Sequence, residues 1–252
     1  MPVIEAVVLD LDGVILDSEQ LWDECRQELV AEEGGHWIPE ATAAMQGMSS
    51  PEWARYLHDQ LEVRLPEARI IEAVVEKLFV RYERQLPLIP GARQAVERIA
   101  QRWPVGLASS SNRVVIDRVL GLAGLDQLFR ATVSSEEVER GKPAPDVYVE
   151  AARRLAAAPD RCVAVEDSAN GIRAAAAAGM AVIAVPNSHY PPPAGALSAA
   201  DLVLDSLDGL TVDSMLALDR DSAGRVERLL DEEEVESFPA SDPHSDWAGP
   251  PV

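Results

Sequence analysis

Two carboxylates separated by one residue follow directly after an apolar run close to the N-terminus. The run from Val7 to Leu9 is followed by Asp10, then by Asp12 and Gly13. A buried strand that stops on this pattern places both acids at the edge of a sheet, where a ligand can reach them. One acid can attack a substrate while the other moves a proton, which suits phosphoryl transfer. The alternative is an acidic turn that only closes the strand.

A second apolar segment ends in hydroxyl groups. Ser109, Ser110, Ser111 and Asn112 come directly after it and precede a predicted helix. Hydroxyls and free backbone N–H groups at such a position can hold the oxygens of a phosphate. Helix capping by Ser111 or Asn112 is the simpler interpretation, and the two roles are compatible because they can use different residues.

A lysine is held between a glycine and a proline. Lys142 follows Gly141 and precedes a helix that Pro145 can start. An ammonium fixed in this way would neutralise phosphate charge and keep Asp10 ionised. The chain's other lysine is Lys77, and this scarcity favours a specific role over that of a solvated loop residue.

A third apolar segment stops on adjacent carboxylates. Glu166 and Asp167 follow the run from Val163 to Val165 and precede a small-residue turn and an alanine-rich helix. Carboxylate oxygens with no soft ligand nearby suit Mg²⁺. Acids at a helix N-terminus are also favourable by themselves, which is the alternative.

The elements that must position these residues alternate between strand and helix. The predicted strands are 6–9, 105–108, 131–133, 162–165, 181–185 and 202–204, and helix-like patterns at 92–102, 113–122, 145–157 and 168–178 separate most of them. This order predicts an α/β protein with a parallel sheet covered on both faces. Functional residues would then collect at the carboxyl ends of the strands.

The segment from residue 18 to 87 breaks this alternation. It shows amphipathic helical patterns, such as Leu21, Cys25 and Leu29 on one face, and no convincing strand. Ser50 is a candidate cap and Pro51 a first-turn residue of one such helix. We therefore predict a core of residues 1–17 and 88–216, a helical cap of 18–87 inserted after the first strand, and a disordered acidic tail of 217–252.

Composition excludes several classes of function. The 252 residues carry a formal net charge of −21, and such a surface repels phosphate backbones, so we expect no nucleic-acid partner. Cys25 and Cys162 are interpreted as small buried hydrophobes. We see no leader and no apolar run of the roughly 20 residues that a bilayer requires. We expect no membrane contact and a cytoplasmic location.

The four segments, in this order, resemble the four motifs of the haloacid dehalogenase-like hydrolase superfamily over residues 3–210. The helical insertion resembles the cap of its sugar-phosphatase and β-phosphoglucomutase branch. The segments Asp17–Glu19 and Leu21–Asp23 are similar to enzymes of the 2-deoxyglucose-6-phosphatase type. The resemblance implies a Rossmann-like parallel sheet with helices on both faces and a small α-helical cap.

The resemblance also implies a mechanism and a cofactor. Asp10 attacks phosphorus and forms a phospho-aspartate, and Asp12 acts as acid and then as base. Mg²⁺ is held by the Asp10 carboxylate, the Asp12 main-chain carbonyl and Asp167, and Glu166 supports it. The implied substrate is a small phosphorylated metabolite, most simply a sugar phosphate.

Phosphate and substrate contacts carry over in the same way. Ser109 and the backbone N–H of Ser110 hold the transferring group, and Lys142 binds phosphate as well as Asp10. Gln46 and Gly47, in the loop of the predicted cap, contact the remainder of the substrate.

Two alternatives remain at this point. Relatives of β-phosphoglucomutase carry a histidine where this chain has Trp22, and a lysine and an arginine where it has Gln46 and Ser50. A bisphosphate intermediate needs cationic partners that this loop does not offer, which favours hydrolysis over a mutase. A different class of function is an interaction module whose acidic tail recruits an unidentified partner.

Overall fold

The computed structural model describes residues 4–45, 48–187 and 191–218. The predicted tail from residue 219 onward, and Gln46 and Gly47 of the predicted cap loop, lie outside the described residues. The strands are β1 (Ala6–Leu9), β2 (Val105–Ser109), β3 (Phe129–Ser134), β4 (Cys162–Glu166), β5 (Ala181–Ala184) and β6 (Leu202–Val203). The helices are α1 (Glu19–Glu32), α2 (Ala41–Met45), α3 (Ser50–Asp59), α4 (Glu67–Arg84), α5 (Ala92–Ala100), α6 (Arg113–Ala123), α7 (Asp146–Arg154), α8 (Ala169–Ala177) and α9 (Ala194–Leu197).

The strands form one six-stranded sheet in the order β3-β2-β1-β4-β5-β6, and every pairing is parallel. The predicted α/β class and parallel sheet are confirmed, and each strand lies within two residues of its predicted bounds. Strand β1 is central, with Val7 aligned to Val105 on one side and to Val163 on the other. The order of strands reverses beside β1, which is where open α/β sheets bind ligands.

Alternate residues of the strands supply two separate cores. Val7 and Leu9 belong to the cluster on one face of the sheet, and Ala6 and Val8 belong to the cluster on the other. The side chains of a strand point to opposite faces in turn, so a strand that is covered on both sides is apolar throughout. This explains the uninterrupted apolar run that leads to Asp10.

The described part of the segment between β1 and α5 is helical, as predicted. Helix α4 packs against α1 and α3 through Ile70, Val74, Leu78 and Tyr82, which repeat every four residues on its buried face. Trp53 and Leu57 of α3 are buried in the same apolar cluster as Val7 and Leu9 of β1. The segment therefore packs on the core as one body of apolar side chains.

The start of α3 differs from the prediction. Ser49, rather than Ser50, precedes the helix, and the Glu52 carboxylate accepts hydrogen bonds from the N–H and the hydroxyl of Ser49 at 2.7 and 2.6 Å. Spacing explains the difference, because Glu52 lies three residues after Ser49, as a reciprocal cap requires. Ser50 is released from capping, and its buried hydroxyl donates to Oδ1 of Asn112 at 2.5 Å.

Over the ranges that the structure describes, every helix is too short or too polar to cross a membrane.

Candidate active site

The carboxyl ends of three adjacent strands open into one cavity of about 320 Å³. Asp10 and Asp12 reach it from the end of β1, Ser110 from the end of β2 and Asp167 from the end of β4. The loop before α7 adds Lys142. Four segments that are distant in sequence meet here because the strands are parallel and neighbours in the sheet.

Lys142 is the centre of a buried ionic cluster. Its Nζ lies 2.8 Å from Oδ1 of Asp10, 2.6 Å from Oε1 of Glu166 and 3.0 Å from the carbonyl oxygen of Ala108. An ammonium has three donors, and these contacts use all of them. Lys142 and Asp10 are 5% and 6% exposed, so the pair is fixed in a medium where charges interact strongly.

Burial controls the pKa values of this cluster. Loss of solvent raises the pKa of Asp10 to about 8, although the ammonium of Lys142 acts in the opposite direction. Burial alone would lower the pKa of Lys142, but the carboxylates of Asp10 and Glu166 outweigh it and raise that pKa above its ordinary value. Lys142 is therefore permanently charged. The carboxyl groups around it outnumber its single positive charge.

Glu166 is completely buried, and protein donors occupy both of its oxygens. Oε1 accepts from Lys142 and from the Tyr148 hydroxyl at 2.7 Å, and Oε2 accepts from the N–H groups of Asp167 and Ser168 at 3.0 and 3.2 Å. Gly171 leaves room for this carboxylate, because a Cβ there would lie 1.8 Å from Oε1. The geometry makes Glu166 a partner that orients Lys142.

Asp167 has the properties of a cation ligand. Its buried Oδ1 has no hydrogen-bond partner among the residues that the structure describes, and burial raises its pKa well above the ordinary value. Asp10, Glu166 and Asp167 each offer an oxygen, and these oxygens lie within 4.8 Å of one another. An all-carboxylate set with an unpaired buried oxygen fits a hard divalent cation such as Mg²⁺.

Gly13 makes room for Asp167. Its φ of +86° is a left-handed conformation that favours glycine, and a Cβ at this position would lie 1.8 Å from Oδ2 of Asp167. Gly13, which follows the Asp10 and Asp12 pair in sequence, thus leaves the space that the Asp167 carboxylate occupies.

Asp12 is half-buried and is held by three donors. The hydroxyl of Ser18 and the indole Nε1 of Trp22 donate to Oδ1, the latter at 3.2 Å. The Ser111 hydroxyl donates to Oδ2 at 2.6 Å. The donors come from the start of α1 and from the end of β2, so the carboxylate is fixed from two sides of the cavity.

The serines after β2 are not equivalent. Ser110 and Ser111 line the cavity, whereas Ser109 is 1% exposed and its hydroxyl accepts the N–H of Ser111 at 3.0 Å. The sequence pattern indicated helix capping for Ser111 and did not reveal its bond to Asp12. The contact joins residues 99 positions apart, so no local spacing could have indicated it.

The side of the cavity opposite the sheet comes from the helical segment. Glu19, Trp22 and Arg26 of α1 and Trp53 of α3 line it. Sequence reasoning missed Glu19, Arg26 and Trp53 as residues of this wall. Spacing offers one signal, since Trp22 and Arg26 are four residues apart and share a helix face. The approach of α3 depends on tertiary packing and leaves no such signal.

Comparisons with known proteins identify the family of the chain. The family model described as haloacid dehalogenase-like hydrolase matches residues 4–179. The chain belongs to this family. Hexitol phosphatase B of Escherichia coli strain K12 is 33% identical over 226 residues, which are 84% of this chain and 97% of that protein.

Two further members extend the comparison. The phosphorylated carbohydrates phosphatase of Thermotoga maritima is 30% identical over 70% of this chain and 82% of its own length. The crystal structure of CbbY from Rhodobacter sphaeroides in complex with phosphate has a TM-score of 0.73 and 29% identity, and the match covers 82% of this chain and 96% of that one. This haloacid dehalogenase-like protein is accordingly a phosphoric monoester hydrolase.

Proposed function

We propose that the protein is a Mg²⁺-dependent phosphatase that hydrolyses a small sugar phosphate through a phospho-aspartate on Asp10. The observation that carries the proposal is that Asp10 and Asp12 line one cavity while Nζ of Lys142 lies 2.8 Å from Oδ1 of Asp10. A nucleophile, a proton carrier and a fixed cation are thus within reach of one phosphate. Phosphoryl transfer depends chiefly on such positioning and charge neutralisation.

In the first step, a carboxylate oxygen of Asp10 attacks phosphorus and the bond from phosphorus to the ester oxygen breaks. Protonated Asp12 gives its proton to that oxygen, and the sugar leaves as a neutral alcohol. In the second step, Asp12 takes a proton from water as the water oxygen attacks phosphorus. The acyl-phosphate bond breaks, and inorganic phosphate and the Asp10 carboxylate are released.

The same proposal assigns the residues that hold charge. The carboxylates of Asp10 and Asp167 and the main-chain carbonyl of Asp12 would bind Mg²⁺, with Glu166 as a supporting neighbour. When bound, the ion supplies positive charge against the oxygens of the transferring group. Lys142 adds its ammonium, and the N–H of Ser110 contacts phosphate. The Ser109 hydroxyl, which accepts the N–H of Ser111, keeps its own O–H as the donor for a further contact.

The domain boundaries form part of the proposal. Residues 18–87 act as a cap over the core of 1–17 and 88–216, and Gln46 and Gly47 in its loop contact the sugar. The acidic tail of 217–252 takes no part in turnover. Removal of residues 219–252 is expected to leave phosphate release unchanged, and a large loss would favour the alternative in which the tail is functional.

The deciding experiment is phosphate release from a panel of sugar phosphates, with Mg²⁺ and with EDTA. We expect release that needs Mg²⁺ and disappears in Asp10→Asn. Asp17→Asn, which neutralises an exposed acid of the same loop, is the matched control and is expected to retain activity. Robust turnover by Asp10→Asn would refute the assignment of the nucleophile.

The mutase alternative is tested with β-glucose 1-phosphate as substrate. A phosphatase releases inorganic phosphate and glucose, whereas a mutase forms glucose 6-phosphate. Accumulation of glucose 6-phosphate without free phosphate would replace hydrolysis by phosphate migration as the function of this site.

A further inference from the structure

Arg26 is a buried cation on the wall of the cavity that the proposed chemistry does not use. Its side chain is 7% exposed, and its guanidinium carbon lies 5.3 Å from the ring centroid of Trp22 and 5.1 Å from that of Trp53. The two rings belong to α1 and α3 and are themselves 6.0 Å apart, tilted by 56°. Cation–π contacts of this kind hold a planar guanidinium in one orientation.

One donor of this fixed group is unused. Nε of Arg26 is buried and has no hydrogen-bond partner among the described residues. A buried donor that is left unpaired is costly and therefore rare in native proteins. Arg26 also lines the cavity, so an oxygen of the bound substrate can accept a hydrogen bond from its guanidinium.

The charge around Arg26 indicates which kind of oxygen this is. Nη1 lies 3.5 Å from Oδ1 of Asp23, so a carboxylate already balances the guanidinium. Glu19 and Asp12 also line the cavity and add two further carboxyl groups to it. A second phosphate would meet these acids, whereas an uncharged hydroxyl accepts a hydrogen bond from the guanidinium without repulsion. The faces of Trp22 and Trp53 suit the C–H surface of a polyol chain or sugar ring.

We propose that Arg26 is a specificity-determining residue that donates from its guanidinium to a hydroxyl oxygen of the leaving group, so that the enzyme selects singly phosphorylated sugars and polyols. This inference rests on the proposed phosphatase function. It predicts that the contribution of Arg26 depends on whether the leaving group carries a hydroxyl in reach.

Two substrates separate this role from a structural one. Sorbitol 6-phosphate has a hydroxylated leaving group, and p-nitrophenyl phosphate does not. In Arg26→Lys, which keeps the charge but loses the planar guanidinium, we expect kcat/KM for sorbitol 6-phosphate to fall about 10-fold, mainly through KM. Turnover of p-nitrophenyl phosphate should stay within about 2-fold of wild type. Arg55→Lys, an exchange on an exposed part of α3, is the matched control and should change neither.

Two results would overturn the proposal. An equal loss on both substrates would mean that Arg26 only supports the fold. A higher kcat/KM for glucose 1,6-bisphosphate than for glucose 6-phosphate, abolished by Arg26→Lys, would mean that Arg26 binds a second phosphate.

A binding measurement keeps this test separate from that of the phosphatase function. Sorbitol 6-phosphate is titrated calorimetrically into Asp10→Asn and into the double variant with Arg26→Lys. Weaker binding by about 10-fold in the double variant supports the role of Arg26 even where the assignment of Asp10 fails. Equal affinities would refute the role of Arg26 while leaving the hydrolysis of p-nitrophenyl phosphate, and with it the proposed chemistry, intact.

Discussion

The indole Nε1 of Trp22 donates a hydrogen bond to Oδ1 of Asp12 over 3.2 Å. Trp22 belongs to α1 and Asp12 follows β1, so the helical segment contacts the proposed acid and base directly. An indole N–H donates but does not titrate in the range in which carboxylates do. Trp22 can therefore orient this carboxylate without competing for its proton.

Replacing Trp22 by Phe removes the donor and keeps an aromatic ring beside Trp53. We expect kcat for a sugar phosphate to fall about 10-fold, since hydrogen bonds to a charged group are worth about 1.5–3 kcal/mol. Trp37→Phe, at a partly buried position outside the cavity, is the control. An unchanged kcat in Trp22→Phe would contradict the positioning role.

Replacing Lys142 by Met leaves Asp10 and Glu166 buried without their cation. We expect the free energy of unfolding to fall by about 3–5 kcal/mol and phosphate release to be lost. Urea denaturation and a phosphate assay measure the two effects. Lys77→Met is the matched control, because Lys77 pairs with Glu28 and Glu32 on the surface and such pairs contribute less than about 1 kcal/mol. Similar losses in the two variants would contradict a special role for Lys142.

Replacing Gly13 by Ala places a methyl group against Asp167. We expect the Mg²⁺ concentration for half-maximal activity to rise at least about 10-fold, since the carboxylate must move away. Gly34→Ala separates this contact from backbone strain, because Gly34 also has a positive φ, +72°, but has open space around its Cβ position. A titration with Mg²⁺ at constant substrate measures both variants. The same Mg²⁺ concentration for half-maximal activity in both variants would show that the Asp167 carboxylate does not depend on the space beside Gly13.

Glu19 should make the stability of the protein depend on pH. Burial raises its pKa from an ordinary value of 4.5 to about 7. Between these values the folded state binds more protons than the unfolded state, so the free energy of unfolding falls as pH rises through this window. In wild type we expect this fall in the free energy of unfolding to be on the order of 1–2 kcal/mol, a figure reduced because Glu19 is partly exposed. In Glu19→Gln we expect the fall to be absent. Urea denaturation of both proteins at pH 5 and at pH 8, in EDTA, measures this difference. The same change in the free energy of unfolding between the two pH values in wild type and in Glu19→Gln would refute the prediction.

The strands, and the residues at their carboxyl ends, could be predicted from the sequence. Apolar runs that stop on Asp10, Ser109 and Glu166 predict parallel strands with polar carboxyl ends, and the structure brings these ends together. The prediction works because a buried parallel strand must be apolar throughout, and the first polar residue marks its end.

Side-chain contacts between different strands and helices could not be predicted from the sequence. Ser111 was interpreted as a helix cap, and its bond to Asp12 depends on how β1 and β2 align. Arg26 lies on a helix that carries charge on several sides, and its burial follows from the approach of Trp53 on α3. Such pairings arise from packing between segments, and no periodicity within one segment encodes them.

Strand β1 precedes the other strands in chain order, but both of its partners in the sheet lie far along the chain. Val7 aligns with Val105 and Val163, about 100 and about 155 residues further along the chain. Contacts this distant in sequence slow folding, since long loops must close before the pairing stabilises them. A nascent chain on the ribosome therefore leaves one edge of β1 unpaired until β4 has emerged. We expect folding during synthesis to wait for β4, and the acids of the site to come together late in that process.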